Sequence, residues 1–208
     1  MYKHLTFSHF FSSVQETNWY MDFLDPVVEA VNPNSRILDI GTGAGKLMQR
    51  LITERSALCT GIDTNQSMLD EAEIKLKDLE KVLLKIEPNT ALPFSNATFD
   101  CVSFCNVLFN LSKESVLFLL SESLRVLGEN GKIIVLTPTG NGGFIKLSRL
   151  YFSIKNLSIY IWYYATKNKA SPWQKNNLLS EFCRLNNLNY ECRVVLNGFG
   201  LLEIISNK

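Results

Sequence analysis

The stretch Ile37-Leu38-Asp39-Ile40-Gly41-Thr42-Gly43-Ala44-Gly45-Lys46-Leu47 joins a short apolar run, three alternating glycines and the start of an amphipathic segment. The branched run from Ile37 to Ile40 predicts a strand that is buried on both faces. Glycines at alternate positions predict a sharp turn that leaves room for a ligand close to the backbone. Helical spacing from Lys46 to Ile52 predicts a helix whose first N–H groups point into the loop. Such a strand, turn and helix are typical of a nucleotide site.

Two acidic residues refine this prediction. Asp39 precedes the first glycine, at the carboxyl end of the strand, where its charge would repel a diphosphate and attract an ammonium or sulfonium group. Residues Ala57 to Ile62 predict a second strand that ends in Asp63, about 20 residues beyond the loop, where an acid can bind both ribose hydroxyls. The pair favours a nucleoside that carries positive charge.

These residues resemble the class I S-adenosylmethionine-dependent methyltransferases. Ile37 to Leu47 is similar to their first motif, and Gly61-Ile62-Asp63 is similar to the acid of their second strand. Leu92-Pro93-Phe94 resembles the segment that wraps the adenine, and the resemblance extends over residues 36–138. It implies an α/β, Rossmann-like methyltransferase fold: a mostly parallel seven-stranded sheet with an antiparallel C-terminal hairpin and helices on both faces.

The resemblance also implies S-adenosyl-L-methionine as cofactor and S-adenosyl-L-homocysteine as product. The residues that it implies for cofactor binding lie on the glycine turn and at the strand ends: Asp39, Gly41, Thr42, Gly43, Gly45, Asp63, Thr64, Met68, Asn89 and Asn106. Asp39 would orient the methionine end, and Asp63 would hold the ribose. Pro88 stands where the family has an acid that accepts a hydrogen bond from the adenine amino group. A proline side chain cannot do so, and Glu87 or Asn89 is the candidate substitute.

Length, charge and cysteine content limit the class of protein. A chain of 208 residues suits a single domain, residues 1–208, and a net charge of +1 does not indicate a nucleic-acid partner. The five cysteines form no Cys-x-x-Cys pair, and no signal-peptide pattern is visible, so we expect a reducing, cytoplasmic location. His4 and His9 are the only histidines of the sequence, so we expect no metal site.

Residues 1–34 predict a helical N-terminal segment. Ser12 with Gln15 forms a capping-box pattern that predicts a helix through Leu24. Asp25-Pro26 then predicts an N-cap followed by proline in the first turn of a second helix, from Val27 to Val31.

The remaining elements follow from apolar periodicity and capping signals. In chain order the first three are a helix from Ser67 to Leu79 capped by Asn65 and strands Val82 to Ile86 and Phe99 to Asn106. A helix capped by Ser112 and a strand Lys132 to Thr137 follow, and the helix directs these residues toward the sheet: Val116, Leu117, Leu120, Leu124 and Leu127. The last three are a helix opened by Ser171-Pro172 with Leu178, Leu179, Phe182 and Leu185 inward, and strands Tyr190 to Leu196 and Leu201 to Ile205 around an Asn197-Gly198 turn.

Two segments could cover the site, the first over the cofactor and the second over the substrate. In the N-terminal segment, packing on the sheet is the favoured interpretation, and a lid formed by Trp19 or Tyr20 is the alternative. Residues 140–172 form the second segment; no acid occurs between Glu129 and Glu181, and basic and aromatic residues alternate: Lys146, Arg149, Lys155, Lys167 and Lys169 with Phe144, Tyr151, Phe152, Tyr160, Trp162, Tyr163 and Tyr164.

Three interpretations of residues 140–172 stay open. They could form one or two helices that pack on the domain and leave the lysines solvated. They could cap a lipophilic or anionic substrate. Peripheral contact with anionic lipid is the least favoured of the three. A spanning helix is not expected, because charges interrupt the segment before about 20 apolar residues accumulate.

The predicted function is methyl transfer to a small, lipophilic or aromatic molecule. The sequence identifies no catalytic base, since no histidine lies in the body of the chain. Two alternatives remain: a methyltransferase-like binding or partner subunit without turnover, and an NAD-dependent oxidoreductase. The second rests on the glycine loop alone, and a terminal antiparallel hairpin argues against it.

Overall fold

The computed structural model describes residues 7–151 and 157–208, and His4, Phe152 and Lys155 lie outside the described residues. One sheet forms the centre of the described part. Its strands are β1 (Arg36–Ile40), β2 (Leu58–Asp63), β3 (Lys81–Lys85), β4 (Phe99–Cys105), β5 (Leu127–Pro138), β6 (Asn189–Val195) and β7 (Gly200–Ser206). They are ordered β3-β2-β1-β4-β5-β7-β6, and every pair is parallel except the two that β7 makes. The predicted fold class is confirmed.

Helices cover both faces of this sheet. They are α1 (Phe7–Val14), α2 (Asn18–Ala30), α3 (Lys46–Arg55), α4 (Gln66–Lys75), α5 (Lys113–Val126), α6 (Phe144–Tyr151), α7 (Leu157–Lys175) and α8 (Leu178–Leu185). One core joins α2, α3 and α7 to the sheet, and a second core joins α5 and α8 to its other face. Among the described residues, no helix is both long enough and apolar enough to cross a membrane.

The N-terminal helices differ from the prediction. Helix α1 ends at Val14, and α2 begins at Asn18. Helix α2 then continues through Pro26, which was expected to open a new helix. Proline inside a helix removes one hydrogen bond and costs about 3 kcal/mol. Burial of the apolar side chains on either side, such as Phe23 and Val27, offsets that cost because the helix must continue for both to reach the core.

The C-terminal helices differ in a similar way. Ser171 and Pro172 lie inside α7, whereas the sequence pattern placed them at the start of the next helix. That helix, α8, begins at Leu178 after Asn177, which has a left-handed backbone. Leu178, Leu179 and Phe182 are buried as predicted, but Leu185, the last residue of α8, is exposed, so the prediction that it faces inward was wrong.

Candidate active site

A cavity of about 300 Å³ opens at the carboxyl ends of β1, β2 and β4. Ligands of open α/β sheets collect at this edge. Eight of the ten predicted cofactor-binding residues line the cavity: Asp39, Gly41, Thr42, Gly43, Asp63, Thr64, Met68 and Asn106. Both acids therefore face one space.

Asp39 is the most deeply buried acid of the cavity, with 2 % of its surface exposed. The parallel register sets it beside Gly61 of β2 and Ser103 of β4, and the Ser103 hydroxyl donates a 2.7 Å hydrogen bond to its carboxylate. Burial raises the pKa of Asp39 to about 6, and the nearby charge of Asp63 adds to this, while the Ser103 bond and the neighbouring Thr42 hydroxyl oppose it. The ionised carboxylate therefore gains from any cation that binds beside it.

The glycine turn holds its shape by its own hydrogen bonds. The N–H groups of Gly41 and Thr42 donate to Ile62 O at 2.8 and 3.0 Å, and the N–H of Gly43 donates to the Asp63 carboxylate at 2.9 Å. Gly41 has φ +73°, and a side chain there would collide with Val107. Because these three amides are engaged within the protein, they are not available to bind a diphosphate. This argues against the dinucleotide alternative.

Asp63 connects the turn to the next helix. One carboxylate oxygen accepts from Gly43 N, and the other accepts from Asn65 N at 2.8 Å. The Asn65 side chain caps α4 by accepting from Ser67 N at 2.9 Å, as predicted. Each Asp63 oxygen accepts one bond and keeps capacity for another, so the group is held in place and can still accept hydroxyls from a ligand.

The remaining two predicted residues lie elsewhere. Asn89 lines an adjoining cavity of about 190 Å³ that shares Gly41, Asp63 and Thr64 with the first and also contains Glu87 and Pro88. Gly45 lines neither cavity. A Cβ at Gly45 would lie 3.1 Å from the Cβ of Ala72, so this glycine allows α3 and α4 to approach each other.

The segment predicted to wrap the adenine is fixed by α5. Arg125 donates to the carbonyl oxygens of Leu92 and Phe94 at 2.9 and 2.7 Å, and Glu122 accepts from Leu92 N at 2.8 Å. Arg125 and Glu122 are themselves an ion pair at 2.7 Å. The backbone of this segment is therefore held without help from a ligand.

The N-terminal helices form one wall of the main cavity. Phe11, Gln15 and Tyr20 all line it, and the Gln15 amide lies 3.5 Å from the Tyr20 hydroxyl. Trp19 instead packs against Trp162 of α7, with ring centroids 5.2 Å apart, and donates to Ser158 at 2.9 Å. The segment thus both packs on the domain, through Trp19, and covers the cavity, through Tyr20.

Glu16 secures this wall. It lies between α1 and α2 and pairs with Lys46 at 2.6 Å and with Lys75 at 2.8 Å. Both lysines are largely buried, whereas Glu16 is half exposed. The two hydrogen-bonded lysines lower the pKa of Glu16 against the opposing effect of burial, the largest single influence. These two ion pairs, here called the clasp, connect the wall to α3 and α4.

Unpartnered polar atoms test whether the cavity fits a polar cofactor. Within the described part of the chain, Thr42 Oγ1 and both amide atoms of Asn106 are buried and make no hydrogen bond. The Asn106 amide lies beside the Tyr20 hydroxyl but outside hydrogen-bond geometry. Buried polar groups are normally paired. These atoms, together with Asp39 and Asp63, fit a ligand that carries hydroxyl, amino and cationic groups, as S-adenosylmethionine does.

Sequence reasoning missed several residues of this site. Ser103 is a polar residue in the middle of an apolar strand, and that contrast was the available signal for a partner of Asp39. Gln15 matched a local capping pattern, and nothing local indicated that it faces the cavity. Cys105, which also lines the cavity, resembled a core thiol; its burial raises the pKa of the thiol well above the usual value.

The fold is Rossmann-like, and the cavity lies at the switch point of the sheet, between β1 and β4. Residues 37–131 match the family model described as a methyltransferase domain. The demethylmenaquinone methyltransferase of Thermotoga maritima is 31 % identical over 122 residues, which is 58 % of this chain and 50 % of that protein. The ubiquinone/menaquinone biosynthesis C-methyltransferase of Blochmanniella pennsylvanica is 35 % identical over 122 residues, or 55 % of this chain and 46 % of that protein. The chain spans about half the length of these curated relatives.

A solved structure supports the fold over nearly the whole chain. The S-adenosyl-L-methionine-dependent methyltransferase fold of a protein from Methanococcus maripaludis matches with a TM-score of 0.68 at 17 % identity, covering 97 % of this chain and 92 % of that one. These matches confirm the resemblance of the chain to the class I S-adenosylmethionine-dependent methyltransferases, a family whose cofactor is S-adenosylmethionine.

Proposed function

We propose that this protein transfers a methyl group from S-adenosylmethionine to a small, lipophilic or aromatic acceptor. The observation that carries the proposal is the position of Asp39 and Asp63, two acids that line one cavity at the ends of adjacent strands. The bound cofactor would supply a methyl group on a positively charged sulfur. An acceptor nucleophile would attack the methyl carbon in line, and the sulfur would leave as part of S-adenosylhomocysteine. The fit of the unpartnered Thr42 and Asn106 atoms to a polar ligand supports the same proposal.

The residues of the chain would bind and orient, and they would exclude water. Asp39 would attract the charged methionine end, and its bond from Ser103 fixes the direction of the carboxylate. Asp63 would accept from the ribose hydroxyls, while Thr64 and Met68 would flank the adenosine. Methyl transfer needs little covalent help, because alignment and desolvation supply most of the acceleration. The wall formed by Phe11 and Tyr20 fits that need, since it reduces contact between the cavity and solvent.

The acceptor is inferred from what the cavity lacks. Among the described residues that line it, the groups other than Asp39 and Asp63 that could take a proton are Tyr20 and Cys105. Burial raises the pKa of both, so both are neutral and poor bases near pH 7. An acidic phenol, or a ring carbon activated by a neighbouring hydroxyl, needs the least help from a base.

The names of the relatives suggest the same class of acceptor. One is named for demethylmenaquinone and the other for C-methylation in ubiquinone and menaquinone biosynthesis. The family match ends at residue 131, before α6 and α7, so the part of this chain that would cover an acceptor lies outside it. We also propose a cytoplasmic location, which is supported by the five unpaired cysteines.

Calorimetry and a turnover assay test the proposal. We expect heat of binding with S-adenosylhomocysteine, and methyl transfer from S-adenosylmethionine to at least one acceptor in a panel of phenols and reduced quinones. Asp63→Asn should weaken binding, whereas Asp100→Asn should not, because Asp100 pairs with Arg36 at the opposite end of β1. No binding heat at millimolar ligand would refute the proposal.

A binding or partner subunit without turnover is the second candidate. It is favoured by Pro88, which replaces the family's adenine-binding acid, and by the lack of a base in the cavity. Binding of S-adenosylhomocysteine without methyl transfer to any member of the panel would support this candidate over the enzyme. Thermal stabilisation by a nicotinamide dinucleotide but not by S-adenosylhomocysteine would overturn both.

A further inference from the structure

Exposed apolar side chains are concentrated on two neighbouring helices. Five large ones lie on α6 and the first half of α7, with exposed fractions from 44 to 77 %: Ile145, Leu150, Leu157, Ile161 and Tyr164. Across the described residues there are eleven, so nearly half fall within 20 positions of a 208-residue chain. Single exposed apolar residues are normal, but a group of this kind indicates a contact surface.

The residues on α7 form a continuous stripe. Leu157, Ile161 and Tyr164 are spaced by four and three positions, which places them on one side of the helix. The other side carries Ile159 and Trp162, which are buried against the domain. The fold is therefore satisfied by the inner stripe, and the outer stripe needs a different explanation.

Positive charge surrounds these residues. Lys146 and Arg149 are exposed on α6, and Lys169 is exposed further along α7. None of them makes an ion pair among the described residues, whereas Arg36, Lys46, Arg50, Lys75, Lys81 and Arg125 all do, at 2.6 to 2.8 Å. One acid, Asp22 of α2, borders this region. Burial chiefly raises the pKa of Tyr151 on α6, and the charge of Asp22 raises it further. The sequence has no acid between Glu129 and Glu181, so the charged residues that α6 and α7 themselves carry are all positive.

We propose that these two helices are a docking surface for anionic lipid bilayers. The α6–α7 surface consists of Ile145, Lys146, Arg149, Leu150, Leu157, Ile161 and Tyr164. Apolar side chains mixed with unpaired lysine and arginine are what an interfacial helix needs, because the former enter the acyl boundary while the latter contact the phosphates. A second copy of this chain is a poorer occupant, since a symmetric contact would bring the same positive charges together. The inference stands apart from methyl transfer.

Helix α7, which carries part of this surface, also contacts the walls of the main cavity. Lys169 of α7 donates to the Asn110 side chain at 3.2 Å, and Asn110 lines that cavity. At the other end of α7, Ser158 accepts from Trp19, the neighbour of Tyr20. A bilayer bound at the α6–α7 surface would therefore contact a helix that also touches the cavity walls.

Vesicle co-sedimentation tests the proposal with the full chain. We expect binding to phosphatidylcholine vesicles that contain about one third phosphatidylglycerol, weak binding to pure phosphatidylcholine, and release by salt. The variant Lys146→Gln/Arg149→Gln should lose about 30-fold in partitioning to anionic vesicles. Ile145→Ser/Ile161→Ser should weaken it by at least about tenfold.

Matched controls use exposed residues on other faces. Ile74→Ser on α4 removes an exposed isoleucine, and Lys77→Gln/Lys113→Gln removes two exposed lysines. Both controls should bind vesicles like the unmodified chain. The melting temperature of every variant should stay close to that of the parent, because all the substituted side chains are exposed and Lys146 loses only its position 5.5 Å from the Phe199 ring centroid. Equal binding to both vesicle types, or equal losses in the controls, would overturn the proposal. Lack of vesicle binding would also overturn it, and self-association lost in the surface variants would then assign the surface to a second copy.

Discussion

Asp39→Asn should make the unliganded protein more stable at neutral pH. The pKa of Asp39 is raised from 3.8 to about 6, a shift whose free-energy equivalent is about 3 kcal/mol. Because the folded pKa lies above the unfolded one, the contribution of the protonated carboxyl is complete below about pH 4 and is lost as pH rises through about 6. Asparagine stays neutral and can still accept from Ser103. The variant should therefore gain up to about 3 kcal/mol at neutral pH, or roughly 6–12 °C in melting temperature.

The same substitution should weaken cofactor binding. A charge-assisted contact contributes about 1.5–3 kcal/mol, so the dissociation constant for S-adenosylmethionine should rise by roughly 10- to 150-fold. In the unmodified protein, affinity should increase between about pH 5 and pH 7 as Asp39 ionises, and this increase should be absent in the variant.

Two measurements check these expectations. Thermal unfolding of the unliganded proteins across the same pH range gives the stability difference, and calorimetry gives the affinities. Asp100→Asn is the control, since Asp100 is partly exposed and the pKa of its carboxyl is lowered, chiefly by its hydrogen bond with Arg36. A variant that is less stable than the parent at neutral pH, or whose affinity keeps the pH dependence, would refute the reasoning about Asp39.

Three further predictions concern other parts of the site. Asp63→Ala should weaken cofactor binding by about 1–3 kcal/mol, and Asp63→Asn should weaken it less because it keeps one acceptor for the glycine turn. Equal affinity of Asp63→Ala and the parent would mean that the ribose is held elsewhere. Glu16→Gln should lower the free energy of unfolding by about 1–2 kcal/mol, because two buried lysines lose their carboxylate. It should also speed cofactor release in stopped-flow measurements, and unchanged release would show that the clasp does not control the wall. Gly61→Ala should cost about 1–3 kcal/mol of unfolding free energy, since its Cβ would collide with Met48, while Gly128→Ala should be nearly neutral.

Local patterns were sufficient for the central unit of the fold. The strand, glycine turn and helix around Asp39 follow from residues that are adjacent in sequence, and the parallel register of β1 and β2 then brings Asp63 to the same cavity. Asn65 and Ser112 cap their helices as predicted, because capping depends on the next three residues alone.

Long-range contacts decided what the sequence could not show. Gln15 and Tyr20 reach the cavity because α1 and α2 fold back over the sheet edge, and no local signal encodes that path. Pro26 and Pro172 indicated helix starts, yet both lie within helices, since burial of their apolar neighbours outweighs the local preference. Leu185 continues the inward spacing of Leu178 and Phe182, yet it is the last residue of α8 and is exposed.

The position of β7 between β5 and β6 has a consequence for how the chain is made. During synthesis β5 emerges well before β7, and β6 cannot join the sheet until β7 has formed. Until then the edge of β5 is unpaired, and its residues Ile133 to Leu136, which are fully buried in the finished fold, are open to other chains. Nascent chains that stop short of residues 200–206 are therefore exposed to aggregation and to capture by chaperones.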